Sequence, residues 1–356
     1  MKFSGIAALL SATAFVAAHP EKHEKGSAAA QMQHELVARG SNKCAAQIEA
    51  RKAAVMEKRK RSLYKRQVAD GRIKERRGIS EIEKRANKYA EIQNTTCVLA
   101  PDTIWGPYGI DGEIYRHDLR ETQTGIDFYL DIGVLDVETC EPIEGVALSI
   151  WSCNATGSYA GFTGINPQTS ELLDGWTKRD DGTTDDETFL RGIMKTGPEG
   201  IAEFLTKFPG YYVTRTTHIH VTAQANVTNG TSFSASSVQH IGQLFFEEDL
   251  LSEVYSLSPY SAHLSTLNRT TNAEDSVLSV AAEDGYSPFI STELLGSSLE
   301  DGLIGYITVG INASAAGLAT TGVDVNPLGQ LPTVSVDDAV RAAATSVDAA
   351  AGYKKV

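Results

Sequence analysis

The sequence predicts an all-β fold, a two-sheet β-sandwich catalytic domain with a basic helical N-terminal extension. Apolar and polar residues alternate with period two in several segments, which is the pattern of strands that bury one face. Turn-forming residues separate these segments, as is typical of a sandwich. Of the 356 residues, we assign 93–312 to the sandwich, and roughly 220 residues is an ordinary size for one such domain.

The first 18 residues have the pattern of a secretory signal peptide. Lys2 precedes the apolar run 6–18, which ends in Val16-Ala17-Ala18, with small residues where a cleavage site is expected. This run is too short to span a bilayer, and no later segment has the length and apolar character of a membrane span. We therefore expect a secreted, extracellular protein with no membrane partner.

Charge divides the chain into a basic N-terminal part and an acidic remainder. Residues 1–88 carry 20 Lys and Arg against 9 Asp and Glu, whereas the remaining residues carry 12 against 36. Residues 32–90 contain no proline and are rich in helix-forming residues, so they are predicted to be helical. We assign 19–92 either to a helical extension or to a propeptide cut at Lys65-Arg66 or Lys84-Arg85. The extension would pack on its own acidic sandwich or on the second subunit of a homodimer. No base-reading motif accompanies the basic charge, so no nucleic-acid partner is predicted.

Five strands are predicted after this arm. In the most regular, 126–134, every second residue is apolar, namely Ile126, Phe128, Leu130, Ile132 and Val134. A turn at 136–142 leads to a second strand, and the remaining strands complete the set 146–151, 218–223, 240–246 and 303–311. The segment 313–356 is rich in Ala, Gly, Thr and Val without a packing pattern, so it is predicted to be a mobile, low-complexity tail.

Cysteines and glycosylation sequons agree with an extracellular location. Outside the cell, Cys44, Cys97, Cys140 and Cys153 are expected to form two disulfides. Cys140 and Cys153 lie at opposite ends of one predicted strand, too far apart for a bridge, so both remaining pairings connect Cys44 to the sandwich. Six sequons are present, at Asn94, Asn154, Asn226, Asn229, Asn268 and Asn312.

The segment 211–220 carries most of the functional information, because two tyrosines, an arginine and two histidines lie within it. Side chains two apart on a strand share one face, so His218 and His220 project together. Ile219, Val221 and Ala223 then form the opposite, core-facing row. Imidazole is the commonest metal ligand among side chains. This strand is therefore a candidate metal site.

Three segments together resemble the intradiol ring-cleavage dioxygenases, specifically their secreted fungal branch. They are 151–159, which ends in Tyr159, 209–220, and the strand that contains Gln243. The family motif Pro-Gly-x-Tyr-x-x-Arg-x-x-His-x-His fits 209–220 position by position. The resemblance covers roughly 97–312 and includes a Gly-Pro-Tyr at 106–108.

The chain departs from the family pattern at three positions. Thr214 stands where the family usually has glycine, and Trp105 stands where an acidic residue commonly precedes the Gly-Pro-Tyr. Tyr211 precedes the motif tyrosine Tyr212, and spacing alone selects Tyr212 as the ligand. The changes lie near the expected substrate mouth, so they concern the substrate more than the reaction class.

The resemblance implies an Fe(III) cofactor held by Tyr159 and His220 in the equatorial plane and by Tyr212 and His218 as the axial pair. Two neutral imidazoles and two phenolates leave a trivalent iron with a net charge of about +1, and anionic oxygen donors favour the oxidised metal. No carboxylate stands at the spacing of a 2-His-1-carboxylate Fe(II) site, and paired tyrosines are unusual for zinc.

The resemblance also implies the catalytic residues Tyr212, Arg215 and Gln243. Tyr212 would accept a proton from the substrate. Arg215 would stabilise the negative charge that builds on the ring as dioxygen adds, and Gln243 would hydrogen-bond the same charge. The expected reaction cleaves a small aromatic diol, a catechol or hydroxyquinol, between its two hydroxylated carbons to give a muconate-type diacid.

A second function remains open, that of a secreted sandwich that binds phenolic or carbohydrate ligands and keeps a vestigial metal site. The presence of all four ligand residues together with Arg215 favours the enzyme. Iron content with a visible absorption band distinguishes the two functions, because tyrosinate bound to Fe(III) absorbs visible light.

Overall fold

The structure is a computed structural model that describes residues 28–70, 106, 108–110, 113–164, 166–168, 185–225, 227, 238–282 and 286–314. The predicted leader, the rest of the extension, Trp105, Cys97 and the C-terminal tail lie outside the described residues. Within the described part, no helix combines the length and the apolar character needed to cross a membrane.

Eight strands in the described residues form two four-stranded sheets. They are β1 Asp127–Asp136, β2 Ala147–Trp151, β3 Arg191–Lys195, β4 Ile201–Lys207, β5 His218–Gln224, β6 His240–Phe245, β7 Ser291–Leu294 and β8 Leu303–Ile311. Sheet A has the order β4-β1-β8-β7 and sheet B the order β3-β2-β5-β6. Neighbouring strands are antiparallel except β1 and β8, which are parallel. The two-sheet sandwich predicted from the sequence is confirmed.

All five predicted strands are present, with ends within two residues of the predicted ones, but the sequence analysis missed β3, β4 and β7. Strand β7 has four residues, three of them polar or charged, and its last two, Glu293 and Leu294, are only partly buried. Strand β3 starts with Arg191, which is buried because Glu113 pairs with it at 2.7 Å. A charged residue that is buried in an ion pair makes a buried strand look polar in the sequence. The alternation of apolar and polar residues alone therefore does not find such a strand.

The core lies between the sheets and is built from the alternating rows that the sequence predicted. Phe128, Leu130 and Ile132 of β1 pack against the inward row of sheet B, which includes Ile219 and Val221. The opposite rows of both sheets face outward. The outward row of sheet B contains His218, His220 and Gln243, so the candidate site lies on the outer face of that sheet.

Helix α1, Ala28–Ala69, covers the outer face of sheet A and so lies on the opposite side of the sandwich from these histidines. Met56 and Leu63 pack on the apolar outer surface of the sheet. Arg59 pairs with the buried Asp131 at 3.2 Å and with Glu203 at 2.6 Å. The basic helix therefore packs on its own acidic sandwich, as one of the alternatives predicted. The part of the predicted helix beyond residue 70 lies outside the described residues.

A disulfide between Cys44 and Cys140 ties α1 to the turn after β1. The pairing of Cys140 with Cys153 that strand geometry excluded is indeed not formed. The prediction that Cys153 forms a second disulfide is wrong, because Cys153 is a free thiol buried in the apolar cluster around Trp151 and Tyr159. Cleavage at Lys65-Arg66 would leave the preceding part of α1 attached through the Cys44 bridge.

Short helices that the sequence analysis did not predict connect β6 to β7 and precede β8. They are α2 Glu248–Val254, α3 Tyr260–His263, α4 Ser276–Ala281 and a 3₁₀ turn at Leu299–Asp301. Helix α4 packs against β6 through Val277, Leu278 and Phe245. The α3 to α4 connection is thereby held against the strand that carries Gln243.

Candidate metal centre

Tyr159 ends a tight loop after β2. Asn154 Oδ1 accepts hydrogen bonds from the backbone nitrogens of Thr156 and Ser158 at 3.1 and 3.0 Å, an Asx-type turn. Gly157 has a φ of +88°, and a Cβ there would lie 2.4 Å from the Tyr211 carbonyl oxygen, so only glycine fits. The loop buries the Tyr159 side chain, which is 2% exposed, against the outer face of sheet B.

Tyr212 and Arg215 flank a tight turn that leads into β5. The Arg215 backbone nitrogen donates to the Tyr212 carbonyl at 3.1 Å, and Thr214 has a φ of +64°. This left-handed conformation costs a residue other than glycine roughly 1–2 kcal/mol. Thr214 is the position at which the family motif usually has glycine. The threonine that replaces the usual glycine is therefore a β-branched residue at a position where the turn requires a left-handed backbone.

Tyr211 and Tyr212 point in opposite directions. The Tyr211 hydroxyl donates to the Leu267 carbonyl at 2.5 Å, and its ring stacks on His263 with 4.5 Å between centroids. The Tyr212 ring instead lies edge-on to His218, with centroids 5.6 Å apart. Tyr212 is therefore the tyrosine that faces the two histidines.

Both histidine rings are held by neighbours other than a metal. His218 Nδ1 lies 2.7 Å from the Thr216 carbonyl, which can only accept, so Nδ1 carries a proton, and in the neutral ring Nε2 is then the nitrogen available to a metal. The His220 ring stacks on Trp151 with 4.9 Å between centroids and 4° between planes. Such contacts fix the orientation of ligating imidazoles in metal sites.

Three of the proposed donor atoms lie within 3.4 Å of the fourth, His218 Nε2. His218 Nε2 lies 3.4 Å from the hydroxyl of Tyr159, 3.4 Å from that of Tyr212 and 3.2 Å from His220 Nε2. Donors about 2.0–2.1 Å from one metal ion, at angles of about 90–110°, are separated by roughly 2.9–3.4 Å. The donor set fits a single ion.

Two of these donors are phenols. Among the described residues, no group of three or more His, Cys, Asp or Glu side chains is placed to hold a metal ion. Burial raises the pKa of Tyr159 well above its usual value, and burial likewise raises the pKa of Tyr212, although Arg215 acts against both shifts. A cation bound between the phenols would oppose this desolvation and favour the phenolate forms.

Arg215 extends from the turn into the same buried region and is 2% exposed. Its Nη2 donates to Gln243 Oε1 at 2.5 Å, and its Nη1 lies 3.5 Å from the Tyr212 hydroxyl. Gln243 is directly opposite His220 in the β5–β6 pairing. The structure therefore brings together all six site residues that the sequence predicted.

Sequence reasoning missed two residues that contact this group. Asp275 pairs with Arg215 Nε at 2.8 Å, and no local motif marks it, because it lies 60 residues away in the chain. Tyr108 stacks on Tyr159 with centroids 4.2 Å apart, and its only signal was the flanking Gly-Pro-Tyr. Arg191 donates to the carbonyls of Tyr108 and Ala160 at 3.1 and 2.7 Å, which fixes the segments of both tyrosines.

A solved structure, an intradiol ring-cleavage dioxygenase from Tetranychus urticae, matches this chain with 31% sequence identity and a TM-score of 0.50. The match covers 62% of this chain and 98% of that one. The chain belongs to the intradiol ring-cleavage dioxygenases. This membership agrees with the family resemblance of the sequence; the secreted fungal branch is a separate prediction.

Other solved structures match this chain with lower TM-scores. A second dioxygenase matches with 31% identity, 62% coverage of this chain, 98% coverage of that one and a TM-score of 0.49. A hydroxyquinol 1,2-dioxygenase from Pseudomonas putida matches with 17% identity, coverage of 60% and 66%, and a TM-score of 0.37. No family model and no curated protein matches the chain.

Proposed function

We propose that this protein is a non-haem Fe(III) dioxygenase that cleaves catechol-type rings between the two hydroxylated carbons and releases muconate-type diacids. The observation that carries the proposal is the position of two phenol oxygens and one imidazole nitrogen at 3.2–3.4 Å from His218 Nε2. Membership of the family supports the same reaction class.

The proposed ligands are Tyr159, Tyr212, His218 and His220. An Fe(III) ion held by them would supply a Lewis acid that withdraws electron density from a bound diol and prepares its ring for attack by dioxygen. The remaining chemistry depends on side chains of the protein. Tyr212 is the proposed proton acceptor, because its hydroxyl lies 3.5 Å from the fixed positive charge of Arg215, which favours its anionic form.

Arg215 and Gln243 are placed to stabilise negative charge on the substrate. The guanidinium is held in one orientation by its partners, one of which is Gln243 Oε1, which accepts from Nη2 at 2.5 Å. Both side chains are at most 2% exposed. Preorganised donors in a site that excludes water stabilise developing charge more strongly than donors in water.

Aromatic side chains near the ligands suit a flat substrate. Tyr108 stacks on Tyr159, and Phe162 contacts Tyr108 edge-on with centroids 5.0 Å apart. Aromatic pairs of this geometry form rigid apolar walls. A small aromatic diol, a catechol or hydroxyquinol, is the proposed substrate, with dioxygen as the second reactant.

We further propose that the protein is secreted and belongs to the fungal extracellular branch of the family. The signal-like leader supports this location, as does the Cys44–Cys140 disulfide, because disulfides persist in oxidising compartments. Three sequon asparagines lie in the described residues. Asn268 is exposed, Asn154 is partly buried and its Nδ2 donates to Gln123, and Asn312 is 7% exposed and donates to Glu138. Asn268 is therefore the proposed glycosylation site among them.

The test is the iron content, visible spectrum and catechol turnover of the purified protein. A stoichiometric iron with a tyrosinate absorption band and accumulation of a muconate product is expected. His218→Ala should abolish the band and turnover, whereas His117→Ala, which removes an exposed imidazole outside the site, should leave both intact. A protein that binds phenols without iron and without turnover would instead be the vestigial binding protein.

A further inference from the structure

Asp275 is a buried carboxylate whose two oxygens have separate partners. It is 1% exposed. Oδ1 accepts from the backbone nitrogens of Val277 and Leu278 at 2.9 Å each, which caps helix α4. Oδ2 accepts from Arg215 Nε and from the Thr216 backbone nitrogen, both at 2.8 Å. One side chain thus joins the start of α4 to the turn that carries Arg215.

The contact with Nε determines the direction of the Arg215 guanidinium. A carboxylate bound at Nε fixes the rotation of the planar group, and so the directions in which the two terminal nitrogens point. In this structure they reach the Tyr212 hydroxyl and Gln243 Oε1. Asp275 also supplies the countercharge that a buried guanidinium requires.

The second contact of Oδ2 reaches His218 through one peptide unit. The Thr216 nitrogen donates to Asp275, and the Thr216 carbonyl accepts from His218 Nδ1 at 2.7 Å. Asn272, on the same segment as Asp275, accepts from the Thr216 hydroxyl at 2.8 Å. The segment 272–275 therefore holds Thr216 from both its backbone and its side chain, and with it the orientation of the His218 ring.

We propose that Asp275 is a positioning residue for ring cleavage: it orients Arg215 toward the substrate and, through Thr216, orients His218 toward the metal. This inference rests on the proposed function and deepens it. The side-chain hydrogen bonds of Asp275 go to Arg215, Thr216 and the start of α4, so its effect reaches the reaction through Arg215 and Thr216.

The test variant is Asp275→Asn. Asparagine offers one acceptor oxygen, so it cannot serve both α4 and Arg215, and it removes the countercharge. The kcat for catechol is expected to fall about 10- to 100-fold, whereas KM should stay within about threefold of wild type. The affinity for Fe(III), measured by competition with a chelator, is expected to fall about 10-fold. Asp301→Asn is the matched control, because Asp301 also accepts backbone hydrogen bonds, from Ser297 and Ser298, at a turn outside the site. It should leave kcat and iron affinity unchanged.

A double variant separates positioning from general stability. In an Arg215→Ala background, Asp275→Asn should lower kcat by less than it does alone, because the guanidinium it orients is absent and only the route through Thr216 to His218 remains, whereas a purely structural effect would add in full. If Asp275→Asn does not fold, Asp275→Glu keeps the charge and displaces the carboxylate by one methylene, and a partial loss of kcat with unchanged KM is expected.

The outcomes distinguish this inference from the function on which it rests. A wild-type protein that holds iron and cleaves catechol, combined with an unchanged kcat in Asp275→Asn or a fully additive loss in the double variant, overturns only the role of Asp275. A folded Asp275→Glu variant with wild-type kcat does the same. A wild-type protein that neither holds iron nor cleaves catechol overturns the proposed function and this inference together.

Discussion

Replacement of Arg215 by lysine or alanine tests whether a guanidinium, and not simply a positive charge, is required for ring cleavage. Arg215 uses three nitrogens for three partners, Asp275 at 2.8 Å, Tyr212 at 3.5 Å and Gln243 at 2.5 Å. Lysine has one nitrogen on a flexible stem and cannot reach all three. Loss of one preorganised donor to developing charge lowers kcat by about 10²- to 10³-fold, which corresponds to about 2.7–4 kcal/mol. We therefore expect Arg215→Ala to lose that amount and Arg215→Lys not to restore the rate.

The measurement is catechol turnover and KM for both variants, with folding and iron occupancy checked in each. Alanine also leaves Asp275 buried without its partner, which destabilises a protein by about 3–5 kcal/mol, whereas lysine keeps a countercharge. The lysine variant therefore separates loss of chemistry from loss of fold. KM should stay within about threefold, because a diol binds through its own oxygens. Arg120→Lys, a change in an arginine that pairs with Asp118 outside the site, is the control. A wild-type kcat in iron-loaded Arg215→Ala would refute the reasoning.

Three further predictions concern stability. Thr214→Gly should raise the free energy of unfolding, measured with denaturant, by about 0.5–1 kcal/mol, because the strain relieved at the left-handed position exceeds the entropy cost of glycine. Thr214→Ala should be stabilised less. A marked loss of stability in the glycine variant would show that Thr214 is not strained. Replacing Cys44 and Cys140 by serine should cost about 4–5 kcal/mol, since the bridge closes a loop with a sequence separation of 96 residues; an unchanged midpoint would argue against the bridge. Burial lowers the pKa of His240 to about 3, from 6.5. Between pH 6.5 and about 3, this histidine binds a proton in the unfolded chain but not in the folded protein, so stability is lost as the pH falls below about 6.5. His240→Asn should remove that part of the slope, and the comparison with wild type cancels the opposite contribution of Asp131, whose pKa burial raises to about 7.

The sequence alone determined the features that depend on local periodicity. Alternation in 126–134 predicted both the strand β1 and its core-facing row, because side chains of a strand alternate between two faces. The same rule placed His218 and His220 on one face, and the spacing of the family motif selected Tyr159, Tyr212 and Arg215 as their companions. These inferences need only a few neighbouring residues and a regular backbone.

Only the tertiary structure decided which distant residues complete the site and the fold. Motif spacing selected Tyr212, but strand alternation could not show that Tyr211 turns away toward Leu267, because a tight turn at Thr214 breaks the strand periodicity there. Likewise, the contact of Asp275 with Arg215 joins residues 60 apart. Buried ion pairs such as Arg191 with Glu113 give polar segments the burial of core strands. Such contacts form when separate elements pack together, so no local pattern in the chain encodes them.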